Sequence, residues 1–381
     1  MTNIIDYIKW HGDLSFNESK INIIDLYILT ILPIFEFDNI AYEYDPLETN
    51  PKEKTIGELT QQYFSINKNN RDLGLLLPPG LVQMLKELGK SKRFKDITTS
   101  NYINVIDYEK EEQFSAMVFH FLNSILISYS GTDDTIIGWK ENFNMLTLDK
   151  IPSQTRAEEY SKYVFKTYKK PVITSGHSKG GNMAIFGGMA IPNEYLLNVL
   201  AFDAPGVNEK VSKTLEYQTI LPKLKEFIPE ESIIGRLFIH KSSYYVVKSN
   251  KEGIYQHDPL SWRVMGKDFI YSKSLSKEAI EIDKKIKTII SEMTEEEKIG
   301  FGDALYKIFT KPNVIRLKDL EGKTFNLVSA YFKLDRKDKK VLHKPLLKLL
   351  KEKYFQRSLF KSFKEFREAK KEGSVKNPCD K

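Results

Sequence analysis

One short stretch in the middle of the chain combines a buried strand, a glycine-rich turn and a helix of small residues. Residues 171–175 read PVITS, an apolar run of strand length, and residues 182–190 have an Ala- and Met-rich helical pattern. Residues 176–180, GHSKG, lie at the turn between them and form a G-x-S-x-G pattern. In this setting a serine is forced onto a strained turn with its hydroxyl exposed, and the glycines leave room for the turn. The sequence therefore predicts that Ser178 is a nucleophile.

The same turn has a simpler interpretation, in which the glycines bind nothing or hold a phosphate at the start of the helix. Neither phosphate-binding pattern, G-x-x-x-x-G-K-[ST] or G-x-G-x-x-G, is present in the chain. The nucleophile interpretation is therefore favoured.

A serine needs a base, and in a strand-turn-helix site of this kind the partners follow it in the order acid, then histidine. Three histidines lie downstream. His343 lies in a basic helical region, and His240 ends an apolar run where a structural histidine is the commoner case. His257 lies in a loop after the YYVVK strand pattern of residues 244–248. We therefore expect His257 to be the base.

The acid has several candidates between the serine and the base. Asp203 closes the apolar run that ends at Phe202, and Glu230 and Glu231 follow Pro229. An acid after the next strand along the sheet is the usual geometry, which favours Glu231 and leaves Asp203 as the alternative.

Acyl chemistry also needs hydrogen-bond donors directed at a developing oxyanion. The backbone N–H of Lys179, which follows the serine, supplies one donor. We expect the second from the polar turn YSGTDD, through the backbone N–H of Thr132 with or without its hydroxyl. Gly131, His177 and Trp139 are then expected to border the substrate, although the turn could equally be a simple polar loop.

Composition limits the class of protein. The 381 residues are 41% hydrophobic, and no apolar run approaches the length of a membrane-spanning helix. The N-terminus lacks a signal-peptide pattern, and the one cysteine, Cys379, excludes an intramolecular disulfide framework or a multi-cysteine metal site. We expect a soluble cytoplasmic protein.

Helical and strand patterns divide the chain into three regions. We expect a helical N-terminal segment over 1–110, an α/β core over 111–270 and a basic helical extension over 271–381. The predicted helices cover 6–37, 55–64, 79–89, 156–168, 182–190 and the region from 274 onward, and the predicted strands cover 113–120, 124–130, 171–175, 197–202, 237–240 and 244–248. Strands alternating with helices in the middle indicate a mainly parallel sheet covered by helices.

The positive charge belongs to the end of the chain. Residues 301–381 hold 22 Lys and Arg against 10 Asp and Glu, and apolar residues recur at helical spacing up to Phe366. A helical cap with a solvated charged face is the simplest interpretation. An acidic partner or an anionic membrane surface is the alternative, and nothing in the sequence points to a specific nucleic acid.

With these residues assembled, the chain resembles the α/β-hydrolase superfamily, nearest to class 3 lipases, and within it a bacterial family of lipase-like proteins called Mbeg1-like. The resemblance covers about residues 1–270. The matching pieces are Asp6–Phe16, Ser130–Thr132 with Trp139, Gly176–Asn182, Phe202–Gly206, and Gln256–Pro259 with Trp262.

The resemblance implies an α/β-hydrolase fold that cleaves a small acyl ester or a lipid-like substrate, with Ser178 as nucleophile, His257 as base and an acid near Glu231. No metal or organic cofactor is required by such chemistry. Lys179 stands where class 3 lipases commonly have leucine, which would place a positive charge at the site. The alternative function is a catalytically silent hydrolase-like scaffold that binds or regulates through its basic C-terminal helices.

Overall fold

A computed structural model describes residues 2–66, 73–74, 77–309, 315–317 and 333–350. The helices are α1 Ile4–His11, α2 Ile23–Ile31, α3 Ile56–Ile66, α4 Gly80–Leu88, α5 Ile136–Asn144, α6 Pro152–Tyr168, α7 Lys179–Met189, α8 Glu209–Ser212, α9 Leu215–Ile220, α10 Lys277–Ser291, α11 Glu295–Phe309 and α12 Arg336–Leu350. The strands are β1 Lys54–Thr55, β2 Thr98–Asp107, β3 Glu112–His120, β4 Ile125–Tyr129, β5 Val172–His177, β6 Leu196–Phe202, β7 Leu224–Pro229, β8 Tyr244–Val247, β9 Val264–Met265, β10 Asp268–Phe269 and β11 Tyr271–Ser272.

The main sheet in the described part of the chain has the order β1-β2-β3-β4-β5-β6-β7-β8-β11. Its five central strands, β4 to β8, run parallel, and the strands on either side pair antiparallel. The carboxyl ends of the parallel strands therefore meet along one edge, where α/β folds place their sites. This confirms the predicted α/β-hydrolase fold with a mainly parallel central sheet.

Helices cover both faces of the sheet. On one face α1, α2 and α4 pack on a buried apolar cluster that includes Phe119, Leu126 and Phe202. On the other face α6 and α7 pack on a cluster that includes Ile127, Val172 and Val199. Because β5 is covered on both faces, the first five of its six residues are buried and its burial does not alternate.

The prediction of one continuous helix over 6–37 is wrong, because the structure has two separate helices, α1 and α2, in this region. Asn22 begins α2 with a capping box in which its side chain accepts from the backbone N–H of Asp25. The loop between the helices is held by Arg93, whose Nη1 donates to the carbonyl oxygens of Leu14 and Ser19 at 3.0 and 2.8 Å. Arg93 also pairs with Asp25, and both side chains are fully buried.

Six strands were not predicted, namely the long strands β2 and β7 and the two-residue strands β1, β9, β10 and β11, and one predicted strand was placed wrongly. β2 lies inside the region expected to be helical, and β7 lies between the candidate acids. Residues 237–240 form only an isolated bridge, between Ile239 and Val207, instead of a strand. The limits of the three predicted regions remain predictions.

The basic extension begins with the strand β11 and is mostly helical in the rest of its described residues. α10, α11 and α12 occupy most of residues 277–350, and α11 packs against α5 and α12. The predicted amphipathic pattern beyond residue 350, with Phe355, Phe360, Phe363 and Phe366, lies outside the described residues, and so does Cys379. Among the helices that the structure describes, none combines the length and the apolar composition that a membrane crossing requires.

Candidate active site

Ser178 lies at the sharp turn between β5 and α7. Its backbone has φ 57° and ψ −132°, a conformation that an L-residue adopts only under constraint. A Cβ on Gly176 would lie 2.0 Å from the backbone of Gly180, and a Cβ on Gly180 would lie 2.2 Å from the carbonyl oxygen of Tyr129. The two glycines are therefore required for the turn, and the backbone N–H of Ser178 ties it to the Phe202 carbonyl of β6 at 2.9 Å.

His257 and Asp203 form the central contact of the site. His257 Nδ1 lies 2.6 Å from Asp203 Oδ2, and the Asp203 side chain is 1% exposed. Because a carboxylate only accepts, His257 Nδ1 donates, and Nε2 is the ring nitrogen left to exchange a proton. The ring centroids of His257 and His177 are 4.7 Å apart, and His177 is the residue before Ser178. The histidine loop and the serine turn therefore meet at this point.

The environment of Asp203 fixes its direction and its charge. Its backbone φ is 42°, and Oδ1 accepts hydrogen bonds from the Ser232 hydroxyl and from the Gly235 backbone N–H at 3.0 Å. Burial alone would raise the pKa of this carboxyl, but the hydrogen bond and charge of His257 and the bond from Ser232 outweigh it and lower the pKa. Asp203 is held as a carboxylate beneath the imidazole.

The structure reverses the order of the two candidate acids. Glu231, which the sequence favoured, accepts from the backbone N–H of Gly253 and from Gln256 Nε2 at 3.3 Å. The backbone N–H of Glu231 in turn donates to Gln256 Oε1 at 2.9 Å. Glu231 therefore holds the loop that carries His257, and Asp203 makes the contact with the ring. One signal for Asp203 was available, because it directly follows a buried strand next to β5.

His177 is a neutral neighbour of His257. Burial, followed by the charge of His257, lowers the pKa of His177 from 6.5 to about 3. Its Nε2 is buried and has no hydrogen-bond partner among the described residues. His177 thus packs against the proposed base without competing for the proton.

The predicted oxyanion donors lie on either side of the serine. Lys179 is the first residue of α7, where backbone N–H groups have no partner within the helix. A Cβ on Gly131 would lie 3.4 Å from Ser178 Cβ, so the segment that leads to Thr132 lies against the nucleophile. The Thr132 hydroxyl bonds the Asn142 amide, with Nδ2 at 2.8 Å. This contact occupies the hydroxyl and leaves the Thr132 backbone N–H as the candidate donor.

The expected positive charge at the site is absent because the Lys179 side chain points into the interior. Its Nζ lies 2.8 Å from Glu141 Oε2 and donates to the Gln113 carbonyl at 2.6 Å. The side chains of Lys179 and Glu141 are 2% and 0% exposed. Glu141 lies on α5 and also accepts from the backbone N–H groups of Gln113 and Ser153. The charge is therefore neutralised beneath the serine turn.

Trp139 and His240, two further candidate residues, make contacts that stabilise the fold. Trp139 packs with Ile136, Leu317 and Tyr306 between α5 and the C-terminal extension. His240 bonds Glu226 through Nδ1 at 2.7 Å and the Leu237 carbonyl through Nε2 at 2.9 Å, as a structural histidine does. Within the described ranges no group of three or more His, Cys, Asp or Glu side chains is placed to hold a metal ion.

Comparisons with known proteins give a family and several distant structures. A sequence model of the family described as Mbeg1-like matches residues 88–307. None of the curated proteins compared with the chain matches it. A fungal lipase–inhibitor complex is 16% identical with a TM-score of 0.34, over 52% of this chain and 83% of that chain. Lip2 lipase from Yarrowia lipolytica is 13% identical with a TM-score of 0.31, over 57% of this chain and 88% of that chain. A Rhizomucor miehei lipase propeptide complex is 15% identical with a TM-score of 0.34, over 54% of this chain and 73% of that chain.

Proposed function

The chain belongs to the Mbeg1-like family, and on that premise we propose that it is a serine hydrolase that cleaves a carboxylic ester or thioester through an acyl-enzyme on Ser178. One observation carries the proposal: a buried carboxylate, Asp203, bonds the imidazole of His257, and that ring packs against His177, the residue before the strained Ser178. A base oriented by a carboxylate near a serine on such a turn supports the activation of the serine hydroxyl.

The reaction proceeds in two halves. In the first, Ser178 Oγ attacks the carbonyl carbon while His257 Nε2 takes its proton, and Asp203 stabilises the imidazolium that forms. The backbone N–H groups of Lys179 and Thr132 bind the developing oxyanion. His257 then protonates the departing alcohol or thiol, and the acyl group remains on the serine oxygen.

The second half repeats these steps with water. His257 removes a proton from water as it attacks the acyl-enzyme, and the carboxylic acid is released when the proton returns to Ser178. No step draws on a metal or an organic cofactor. The ion pair between Lys179 and Glu141 supports a site in which the oxyanion is stabilised by backbone donors rather than by the lysine ammonium.

The proposal is tested by hydrolysis of p-nitrophenyl esters and matching acyl thioesters from two to twelve carbons. We expect turnover by the wild type and a loss of at least about a thousandfold in Ser178→Ala. Ser291→Ala, on the exposed side of α10, is the matched control and should keep wild-type rates. A folded wild-type protein that hydrolyses none of these substrates would favour the silent scaffold instead.

A further inference from the structure

The helix α5 contacts both residues whose backbone N–H groups are expected to bind the oxyanion. Glu141 Oε2 lies 2.8 Å from Lys179 Nζ, and Lys179 directly follows the nucleophile. The next residue of α5, Asn142, has its Nδ2 2.8 Å from the hydroxyl oxygen of Thr132. The position of α5 is therefore linked to the position of both donors.

The C-terminal extension packs on another side of the same helix. Lys140, whose side chain is 8% exposed, forms an ion pair with Asp303 of α11. A Cβ on Gly302 would lie only 3.2 Å from Phe143 Cβ, so α11 and α5 approach closely at this point. Because Lys140 is largely buried, it needs a counter-charge, and Asp303 supplies it. The ion pair therefore holds α11 on α5.

A short segment of the extension also binds the chain just after Thr132. Residues 315–317 pair antiparallel with residues 134–136. Two backbone hydrogen bonds join them, one to the Asp134 carbonyl at 2.8 Å and one from the Ile136 N–H at 3.0 Å. The extension therefore fixes the backbone between Thr132 and the start of α5 as well as α5 itself.

The connection between Thr132 and α5 is short and internally bonded. Three residues separate Thr132 from the first residue of α5. Asp133 Oδ1 accepts from the Thr135 backbone N–H at 2.9 Å, and the Thr135 hydroxyl oxygen accepts from the Gly138 N–H at 3.2 Å to cap the helix. A displacement of α5 would therefore be carried to Thr132.

We propose that the C-terminal extension positions the oxyanion donors by holding α5 in place, with Asp303 and Asn142 as positioning residues. Docking of α11 fixes α5 from outside, and Asn142 transmits that position to Thr132. The inference rests on the proposed hydrolase function for its link to turnover, and it gives the extension a role in catalysis. Donors that stabilise an oxyanion must be fixed before the reaction, so displacing Thr132 lowers kcat with little change in KM.

The link from α5 to Thr132 is tested by steady-state kinetics on the best ester. We expect Asn142→Leu to lower kcat about tenfold to a hundredfold and to change KM less than about threefold. Asn142→Asp keeps an acceptor for the Thr132 hydroxyl and should be at least about threefold faster than Asn142→Leu. Asn144→Leu, the control on the same helix, removes a bond to Glu111 instead and should keep the wild-type kcat.

The docking of the extension is tested by a change outside the site. We expect Asp303→Ala to lower kcat at least about threefold without raising KM, and to speed amide hydrogen exchange over residues 131–136 at least about threefold. The Ile136 amide reports the docking because its N–H exchanges when the bond to the extension opens. Asp149→Ala, which removes an exposed partner of Lys210, should change neither quantity. Mass spectrometry measures the exchange, and circular dichroism confirms folding.

The outcomes separate this inference from the hydrolase proposal. An active wild type with unchanged kcat in Asn142→Leu, or with equal kcat in Asp303→Ala and Asp149→Ala, would overturn the positioning role and leave the hydrolase intact. Unchanged hydrogen exchange in Asp303→Ala would overturn it whether or not the wild type is active. Faster exchange in Asp303→Ala, with a wild type that hydrolyses no ester, would contradict the hydrolase and support the docking of the extension alone.

Discussion

Lys179 Nζ lies 2.8 Å from Glu141 Oε2, and both side chains are buried directly beneath the serine turn. The pair joins the start of α7 to α5, and through Gln113 it also joins β3. A charged residue next to the nucleophile therefore has a structural role and contributes no charge to the substrate side.

Removing one partner of this pair should destabilise the fold. We expect Glu141→Gln to lower the free energy of unfolding by about 3–5 kcal/mol, because Lys179 would remain buried without its counter-charge. Chemical denaturation measures this. Glu209→Gln, which removes an exposed partner of Lys213, should cause no measurable change. The double variant Glu141→Gln/Lys179→Met keeps an acceptor for the N–H groups of Gln113 and Ser153 and removes the unpaired charge, so it should recover part of the loss. A double variant no more stable than Glu141→Gln would contradict the ion-pair explanation.

Replacing the two candidate acids should separate their roles. We expect Asp203→Asn to lower kcat by about a hundredfold to ten-thousandfold, because an amide at the Oδ2 position neither holds the required tautomer nor stabilises an imidazolium. Glu231→Gln keeps an acceptor for Gly253 and should lower kcat by less than about tenfold. Steady-state kinetics on the best ester, with circular dichroism to confirm folding, decides this. A larger effect at Glu231 would reassign the acid.

Gly235 should matter because of its contact with Asp203. A Cβ at this position would lie 2.5 Å from Asp203 Oδ1 and 2.5 Å from Ile228 Cγ2. We expect Gly235→Ala to displace the carboxylate and lower kcat at least about tenfold. In the control Gly300→Ala the new Cβ lies 3.6 Å from Val341, an ordinary contact, and kcat should be unchanged. Equal rates for both variants would argue against a fixed position for Asp203.

His177 should make stability depend on pH. Its pKa is lowered from 6.5 to about 3 in the folded protein, so between these values the unfolded chain binds the additional proton. Stability therefore falls as pH decreases from 6.5 toward 3. We expect the free energy of unfolding of His177→Asn to depend less on pH between 6.5 and 4 than that of the wild type. His343→Gln, at an exposed histidine of α12, should keep the wild-type slope. If the free energy of unfolding changed with pH by the same amount in wild type and His177→Asn, protonation of His177 would not be the cause of the pH dependence.

The sequence predicted the parts of the site that depend on local pattern. The strand, the two glycines and the small-residue helix require the turn at Ser178, and the structure has it. β3 and β4 were predicted from two apolar runs with a short connection. β2 was missed because its sequence, TTSNYINVID, lacks a continuous apolar run.

Features that depend on long-range side-chain direction could not be predicted. The choice between Asp203 and Glu231 depends on the positive φ of Asp203 and on contacts with Ser232 and Gly235 about thirty residues later in the chain. The inward direction of Lys179 depends on Glu141, which precedes it by 38 residues. Spacing in the sequence does not encode either contact.

Covalent labelling of the purified protein with a fluorophosphonate, followed by intact mass measurement, tests the central claim most directly. The reagent phosphonylates a serine only when a base has activated its hydroxyl. We expect the mass of one probe to be added to the wild type and none to Ser178→Ala. No labelling of the folded wild type, or equal labelling of both proteins, would contradict an activated Ser178.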